Sequence, residues 1–178
     1  TGNKAVNHGG AFYLTYKTEA DGSKTGSVLK AENVIFEENS ALAGGAVSGR
    51  TNSDLAFKNV KFIKNSTPDA AVSTTTGGGA IYSNNSRIAI DSSLFDGNFS
   101  GYYGGAVRLD DCESVINDTE ILNSSGGTGG AMYASGDSLE TKNLTLTGNK
   151  STLNGVLYIK RRSAVFENLT ATNYTGVN

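Results

Sequence analysis

Side chains that could carry out chemistry are few in this sequence, and they are far apart. The chain contains one histidine, His8, and one cysteine, Cys112. His8 lies close to the first residue, which makes it a poor general base, and a single cysteine cannot form an internal disulfide, so Cys112 is interpreted as a small filler side chain. The Asp110-Asp111 pair could bind a cation weakly, although a polar turn is the favoured interpretation. The sequence therefore predicts no catalytic site, no metal site and no cofactor.

Composition argues against several classes of function. The 178 residues carry a formal net charge of -2, and only 18% of them are charged. This balance gives no electrostatic reason to expect DNA or RNA as a partner. No apolar run approaches the roughly 18 residues of a membrane span, so we expect no direct membrane insertion of this segment.

A Gly-Gly-Ala sequence followed by a large apolar residue recurs along the chain. The full copies are Gly9-Gly10-Ala11-Phe12, Gly44-Gly45-Ala46-Val47, Gly78-Gly79-Ala80-Ile81, Gly104-Gly105-Ala106-Val107 and Gly129-Gly130-Ala131-Met132, and an altered copy is Asn154-Gly155-Val156-Leu157. The second residue of the motif is glycine in every copy, and counted from it successive copies lie 35, 34, 26, 25 and 25 residues apart. A period in this range is typical of repeat architectures, in which each unit stacks on its neighbours.

Asparagines mark the same period a second time. The first marker is an Asn, or Ser in one copy, at Asn33, Asn59, Ser92, Asn117, Asn143 and Asn168. The second is a Phe-x-x-Asn motif, complete in Phe36 to Asn39, Phe62 to Asn65 and Phe95 to Asn98, and altered in Glu120 to Asn123 and Leu146 to Asn149. Two markers with one period define a structural unit of about 25 residues.

Large apolar residues recur two positions apart inside each unit, as at Leu55 and Phe57. This spacing predicts short β-strands, which follow Gly-Gly-Ala, precede the first Asn and run through Phe-x-x-Asn. Three strands per unit predict an all-β fold, a right-handed parallel β-helix (solenoid) of about six turns, in one domain covering residues 1–178. Because the repeats reach both ends of the sequence without a capping element, we expect this segment to be part of a longer chain.

Stacking of the units predicts three columns of inward side chains. They are Phe12, Val47, Ile81, Val107, Met132 and Leu157; Ala31, Phe57, Ile90, Val115, Thr141 and Phe166; and Phe36, Phe62, Phe95 and Leu146. The first Asn of each unit would lie in a turn, where its amide can bond the backbone and the next Asn. In the fourth unit, strict register turns Asp118 and Glu120 inward, so we favour a one-residue bulge that buries Thr119 and Ile121 instead of unpaired carboxylates.

The alternation of Gly-Gly-Ala-(Ile/Leu/Val) with Phe-x-x-Asn resembles the chlamydial polymorphic outer membrane proteins. The resemblance covers most of the chain, from Gly9 to about Asn173, and the tandem alternation is more specific than either motif alone. It implies a fragment of an autotransporter passenger domain, exported or secreted to the bacterial cell surface or outer membrane. It also implies an adhesin with a role in virulence, with both motifs implicated in adhesion to host cells and in self-association.

Two outward columns bear on enzymatic activity. Many β-helices cleave polysaccharides, which takes two or three converging carboxylates, or acids that hold a calcium ion. The column after Gly-Gly-Ala contains no acid; it comprises Tyr13, Ser48, Tyr82, Arg108, Tyr133 and Tyr158. The column before the first Asn comprises Glu32, Lys58, Asp91, Ile116, Lys142 and Glu167. Ion pairs between neighbouring turns explain its alternating charges without catalysis, so we expect that the segment is not an enzyme.

The tyrosines of the first outward column are the leading candidates for binding. Tyr13, Tyr82, Tyr133 and Tyr158 would line one face of the rod and offer rigid, amphipathic contact area. The alternative is that these rings stack on one another and only stiffen the sheet.

Two inserts provide further candidate binding residues. The first, residues 15–27, contains Lys17 and Asp21, and the second, residues 66–77, contains Pro68 and Asp69. Long loops on a rigid scaffold often carry specificity, and the alternative is that they are mobile decoration.

Together these features predict a surface adhesin segment that binds a host cell-surface receptor protein. Repeated strand edges would also permit head-to-tail association into homo-oligomers. The alternatives are a carbohydrate-binding or carbohydrate-active β-helix, and a structural spacer that binds nothing.

Overall fold

The structure is a computed structural model that describes residues 1–68 and 76–176. Within these residues the chain forms nineteen β-strands and no helix. The strands are β1 (Phe12–Leu14), β2 (Tyr16–Thr18), β3 (Lys24–Gly26), β4 (Val28–Glu32), β5 (Ile35–Glu37), β6 (Val47–Arg50), β7 (Asp54–Lys58), β8 (Lys61–Ile63), β9 (Ser66–Thr67), β10 (Ile81–Asn84), β11 (Arg87–Asp91), β12 (Leu94–Asp96), β13 (Phe99–Tyr103), β14 (Val107–Asp110), β15 (Glu113–Leu122), β16 (Ser125–Thr128), β17 (Met132–Thr147), β18 (Lys150–Asn154) and β19 (Leu157–Thr172).

Strands of successive turns stack in parallel, as the repeat predicts. The strands after Gly-Gly-Ala are β1, β6, β10, β14, β17 and β19, each paired with the next. A second face begins with β4, β7 and β11, and a third face begins with β5, β8 and β12. The long strands β15, β17 and β19 bend through the corner between these two faces, so each of them supplies the later layers of both. The fold is the predicted parallel β-helix. Six layers are separated by five steps, so it makes about five turns and not six, over roughly 24 Å.

A fourth set of short strands was not predicted. β9, β13, β16 and β18 form a separate parallel sheet just before the Gly-Gly pairs. Its register shifts after Ser100 and after Gly126. Serine, threonine and glycine make up most of these strands, so they lack the alternation of apolar residues that reveals the other strands.

The predicted inward columns form the core, except at the first turn, where Phe12 is 47% exposed. The column from Phe12 to Leu157 is in register at every step. In the third column the rings of Phe36, Phe62 and Phe95 stack, with successive centroids 5.1 and 4.6 Å apart. Aromatic pairs of this kind contribute about 0.5–1.5 kcal/mol beyond the area that they bury.

The predicted register is wrong in the fourth turn. Every paired residue of β14 and of β15 lies 26 positions after its partner in the third turn. The second inward column therefore contains Ile116, which is buried, and not Val115, which is 40% exposed.

The same offset decides which residue occupies the turn. Asp118, with φ of 47°, takes the left-handed position that we assigned to Asn117. Thr119 and Ile121 are buried as predicted, but a regular 26-residue step places them there and no bulge is needed. The altered Phe-x-x-Asn copy is accordingly Ile121 to Ser124, and not Glu120 to Asn123.

Amides in the left-handed turn form an exposed ladder, as predicted. Asn59 Nδ2 donates to Asn33 Oδ1 at 2.6 Å, and Asn168 Nδ2 donates to Asn143 Oδ1 at 2.9 Å. Asn143 in turn donates to Asp118 Oδ1 at 2.6 Å. Short polar side chains are favoured here because they tolerate positive φ and bond locally.

A second, buried ladder runs through the Asn of Phe-x-x-Asn. Asn65 Oδ1 accepts hydrogen bonds from the backbone nitrogen and Nδ2 of Asn39, at 3.0 and 2.8 Å. Asn65 Nδ2 donates to the backbone oxygen of Phe36 at 2.9 Å and to Asn98 Oδ1 at 3.1 Å. The motif therefore combines a stacked ring with an amide that satisfies buried backbone groups of the neighbouring turn.

Gly-Gly-Ala forms a corner where neighbouring turns touch through their backbones. Gly44 has φ of 64°, a conformation that favours glycine. A Cβ on Gly45 would lie 2.1 Å from the backbone oxygen of Gly79 and 2.6 Å from the nitrogen of Ser66. The following Ala46 is fully buried, so all three residues of the motif are required by packing.

We predict that Gly45→Ala lowers the free energy of unfolding by about 3 kcal/mol or more, because its methyl group collides with fixed backbone. Urea unfolding followed by circular dichroism measures this loss. Gly176→Ala is the matched control, since its Cβ would meet nothing closer than the Ser151 oxygen at 3.9 Å. Equal unfolding midpoints for the two variants would contradict the close contact.

Asn65→Ala should lower the free energy of unfolding by roughly 2–4 kcal/mol, because it leaves the Asn39 nitrogen and the Phe36 oxygen buried without their partner. The same urea experiment tests this. Asn117→Ala serves as the control, because the Asn117 amide makes no hydrogen bond to any described residue, and it should change stability by less than about 0.5 kcal/mol.

Candidate functional site

The outward column after Gly-Gly-Ala has the predicted register, but its exposure is uneven. Tyr13 is exposed, Tyr133 and Tyr158 are half-buried, and Tyr82 is only 2% exposed. The expectation of one exposed row of four tyrosines is therefore wrong at Tyr82. A partner could touch the ends of this column but not its centre.

A buried ion pair occupies the centre of the column. Nη2 and Nε of Arg108 lie 2.7 and 2.9 Å from Oδ2 of Asp110. Oδ1 of Asp110 accepts a hydrogen bond from Ser135 Oγ at 3.0 Å. Nη1 of Arg108 donates to the backbone oxygen of Thr76, near the end of the second insert. The pair therefore satisfies two buried charges and fastens the insert to this face.

Three tyrosine rings surround the Arg108 guanidinium. Its central carbon lies 5.1 Å from the ring centroid of Tyr82, 4.6 Å from that of Tyr103 and 5.6 Å from that of Tyr133. Tyr133 and Tyr158 stack with centroids 5.1 Å apart and planes at 7°. Much of the column thus stabilises the sheet through cation–π and ring contacts.

The surroundings of the column keep its phenols neutral. Burial raises the pKa of Tyr82 and of Tyr133 above the usual value. A hydrogen bond with Tyr102 is the main reason why the pKa of Tyr103 is raised to about 12. These phenols are therefore neutral at pH 7, and the hydroxyl of the half-buried Tyr133 can act as a hydrogen-bond donor toward a ligand, whereas the buried Tyr82 cannot.

His8 packs at the first turn of the same face. Its ring stacks on Tyr13 with centroids 4.8 Å apart, and its Nε2 lies 3.3 Å from Nη1 of Arg50. Burial, followed by the positive charge of Arg50, lowers the pKa of His8. The imidazole is therefore neutral at pH 7 and can accept a hydrogen bond from Arg50.

The first insert folds into a β-hairpin. β2 and β3 pair antiparallel, and Asp21 Oδ1 accepts a hydrogen bond from the backbone nitrogen of Ser23 at 2.9 Å in the connecting turn. Lys17 Nζ lies 2.9 Å from Glu19 Oε2. Lys17 and Asp21 are both exposed, so the hairpin offers charged side chains at defined positions.

The second insert is described only in part. Pro68 is exposed at its start, whereas Asp69 lies outside the described residues, together with residues 70–75. The chain rejoins the stack at Gly77, which bridges to Ala43 of the preceding turn.

Charged side chains of neighbouring turns form ion pairs, as predicted. Lys58 Nζ lies 3.9 Å from Glu32 Oε1, and Lys142 Nζ lies 3.1 Å from Glu167 Oε1. The fourth member of this column is Asn117, because Ile116 faces the core. These pairs are exposed, so each contributes at most about 1 kcal/mol.

The ion pair between Arg87 and Asp54, like that between Arg108 and Asp110, was not predicted from the sequence. Nε and Nη2 of Arg87 lie 2.7 and 2.9 Å from the two carboxylate oxygens of Asp54, and this contact holds the pKa of Asp54 below its usual range. The two residues are 33 positions apart across an insert, and only the strand register brings them together.

The residues considered for chemistry do not converge. Cys112 is buried, with its Sγ 3.1 Å from the backbone oxygen of Asp110. Asp111 occupies a left-handed turn with φ of 49°. Across residues 1–68 and 76–176, no three His, Cys, Asp or Glu side chains are grouped so that they could hold a metal ion.

No helix in the described part of the chain is long and apolar enough to cross a membrane.

One family model matches part of the chain. Residues 59–84 match the model of the Chlamydia polymorphic membrane protein (Chlamydia_PMP) repeat. This segment contains one complete Phe-x-x-Asn and one complete Gly-Gly-Ala-Ile, so the resemblance noted from the sequence is confirmed. No curated protein and no solved structure matches the chain.

Arg108→Met should lower the free energy of unfolding by about 3–5 kcal/mol at pH 7, because it leaves the Asp110 carboxylate buried without its cation. Adding Asp110→Asn should recover part of this loss. Urea unfolding at pH 7 measures these changes.

Arg87→Met is the matched control for this prediction. It removes an arginine from an exposed ion pair and should cost less than about 1 kcal/mol. Equal losses for the two arginine variants would show that the Arg108–Asp110 pair has no special structural role.

Proposed function

Since the chain carries a repeat of the Chlamydia polymorphic membrane protein family, we propose that it is an adhesin passenger segment that binds a receptor protein on host cells. The repeat and the β-solenoid fit a surface autotransporter passenger segment. Binding to a host receptor goes further than this, and it is supported by what the fold leaves exposed.

The observation that carries the proposal is that the motif residues are used in contacts between turns, whereas other residues are exposed. The glycines and asparagines of the two motifs lie in close backbone contacts and buried hydrogen bonds, whereas the hairpin from Tyr16 to Gly26 and the ring of Tyr13 are exposed. A partner would therefore meet the inserts and the ends of the tyrosine column. The motifs would support adhesion indirectly, by holding the rod together.

The charges of the hairpin make it the first candidate for contact. Lys17 and Asp21 are exposed, and Lys24 Nζ lies 4.3 Å from the ring centroid of Tyr16. An aromatic ring with an adjacent cation, held in a two-stranded ribbon, offers rigid contact area of the type enriched in protein interfaces.

We also propose that the segment has no catalytic activity. Of its acidic residues, Asp110 is tied to Arg108 and Asp54 is tied to Arg87. Such pairing explains the placement of these carboxylates by stability alone.

Adhesion of coated beads to cultured epithelial cells tests the proposal. Beads that carry the segment should bind more than beads that carry an unrelated β-helix, and soluble segment should compete. Replacing residues 16–26 with a short turn should reduce binding several-fold while circular dichroism stays unchanged. Lys61→Glu, an exposed charge reversal on another face, is the control.

Gly45→Ala tests whether the motifs support adhesion by holding the fold together or by contacting the receptor themselves. If they act through the fold, this variant loses adhesion only in proportion to the fraction that is unfolded. If no preparation binds above the unrelated β-helix, in monomeric and oligomeric fractions alike, the adhesin proposal fails and a spacer role takes its place.

A further inference from the structure

The outward side of β7 and β11 carries an ordered pattern of charge. Pairing of the two strands sets Arg87 beside Asp54, Ala89 beside Ala56 and Asp91 beside Lys58. Opposite charges therefore lie side by side along the rod, and the two ends of each strand also differ in sign, with an alanine between them. We call these six residues the charge–alanine face: Asp54, Ala56, Lys58, Arg87, Ala89 and Asp91.

The charge–alanine face is open to solvent. Lys58, Arg87 and Ala89 are exposed, and the remaining three residues are half-buried. Because an alanine side chain ends at Cβ, the middle of the face is a shallow apolar depression between two charged borders. Alanine is disfavoured at strand positions, so strand propensity does not explain two alanines side by side.

We propose that this face binds a second copy of the chain about a two-fold axis that runs along the strands, midway between β7 and β11. Such an axis keeps the strand direction and reverses the order of the turns, so the two rods lie antiparallel. Each β7 then faces the β11 of the second copy. Sheets packed face to face keep their strands within about 30° of each other, which this arrangement satisfies.

Charge complementarity is the argument for this partner. Asp54 faces Arg87 of the second copy, and Lys58 faces Asp91 of the second copy, and symmetry repeats both contacts. Ala56 faces Ala89 of the second copy, and the small side chains let the two sheets approach closely. The charge pattern of the face is therefore complementary to itself under this two-fold rotation.

The neighbouring layers are compatible with the same axis. The outward residues of β4 face those of β15 in the second copy, which sets Lys30 against Val115 and Glu32 against Asn117. Neither contact joins like charges. Exposed Val115, at 40%, would gain apolar cover from the stem of the lysine.

A parallel arrangement of the rods is less favourable. Rotation about the rod axis would also join opposite charges within β7 and within β11. It would, however, set Lys30 against Lys30 and Glu140 against Glu140 of the second copy, directly on the axis. Like charges so placed oppose association, so the antiparallel dimer is preferred.

The interface is small, and its ion pairs are exposed in the single copy. We therefore expect weak dimerisation, with a dissociation constant in the micromolar range or above. Weak contacts of this kind become effective when many copies are held on one surface. This inference does not rest on receptor binding, and either could hold without the other.

Sedimentation equilibrium of the 178-residue chain tests the dimer, over concentrations up to about 1 mM as a weak interface requires. We expect a monomer–dimer equilibrium that weakens between about 50 and 500 mM salt, because screening reduces ion pairing. Lys58→Glu sets a glutamate against Asp91 of the second copy, twice per dimer, and should weaken dimerisation by roughly tenfold or more. Asp91→Lys should do the same.

Mixing the Lys58→Glu and Asp91→Lys variants gives the sharpest test. The glutamate introduced in the first variant would face the lysine introduced in the second, and the unchanged Asp91 of the first would face the unchanged Lys58 of the second. Because every contact becomes attractive, the mixture should form heterodimers at least as tightly as the unmodified chain forms dimers. In the parallel arrangement the mixture would keep two repulsive contacts, and it should not recover.

Ala89→Arg and Lys61→Glu complete the set. The first places a long side chain in the centre of the face and should abolish dimerisation, whereas the second reverses a charge outside the face and should change nothing. Circular dichroism confirms that each variant is folded. A chain that stays monomeric at about 1 mM overturns the proposal, and so does an oligomer that survives both Lys58→Glu and Ala89→Arg, as head-to-tail association would.

Discussion

The structure depends on one constraint: each turn must hydrogen-bond to the next at the spacing of paired strands, about 4.8 Å, around the whole circumference. Strands meet this requirement easily, but corners do not, because a corner needs unusual backbone angles and brings main chains into contact. Paired glycines meet it at one corner, since Gly45 leaves no room for a side chain below Gly79. Asparagines meet it at the others, either exposed in left-handed turns or buried with their amides bonded to the neighbouring turn.

This constraint separates the residues that repeat from those that are free to vary. The repeated glycines, alanines, phenylalanines and asparagines are fixed by contacts between turns, so a partner has little access to them. The outward positions carry no such requirement, and they hold three different environments. One is the tyrosine column around the buried Arg108–Asp110 pair, one is the hairpin from Tyr16 to Gly26, and one is the charge–alanine face. Recognition by a partner, on this view, is a property of the outward columns and inserts.

Much of the fold could be predicted because the same packing and hydrogen-bonding requirements recur in every turn. The period of the two motifs identified the solenoid, and alternation of apolar residues identified the inward columns. The fourth turn shows the limit of that reasoning. Asn117 and Asp118 both suit a left-handed turn, and Val115 and Ile116 both suit a core, so composition could not choose between two registers. The hydrogen bonds of the adjacent turns make the choice, and they place Asp118 in the turn and Ile116 in the core. The fourth set of strands was missed for a related reason, since its glycines and serines give no alternation.

The sequence by itself determined the architecture, the direction of side chains along most strands and the absence of a second cysteine for a disulfide. Only the tertiary structure decided which outward residues a partner can reach. Tyr13 and Tyr82 occupy equivalent positions in the repeat, yet the first is exposed and the second is 2% exposed. The difference arises from contacts between residues far apart in the chain, because Arg108 lies against the Tyr82 ring and binds the backbone of Thr76. Burial of an outward side chain depends on which residues pack over it, and these residues cannot be inferred from the local sequence pattern.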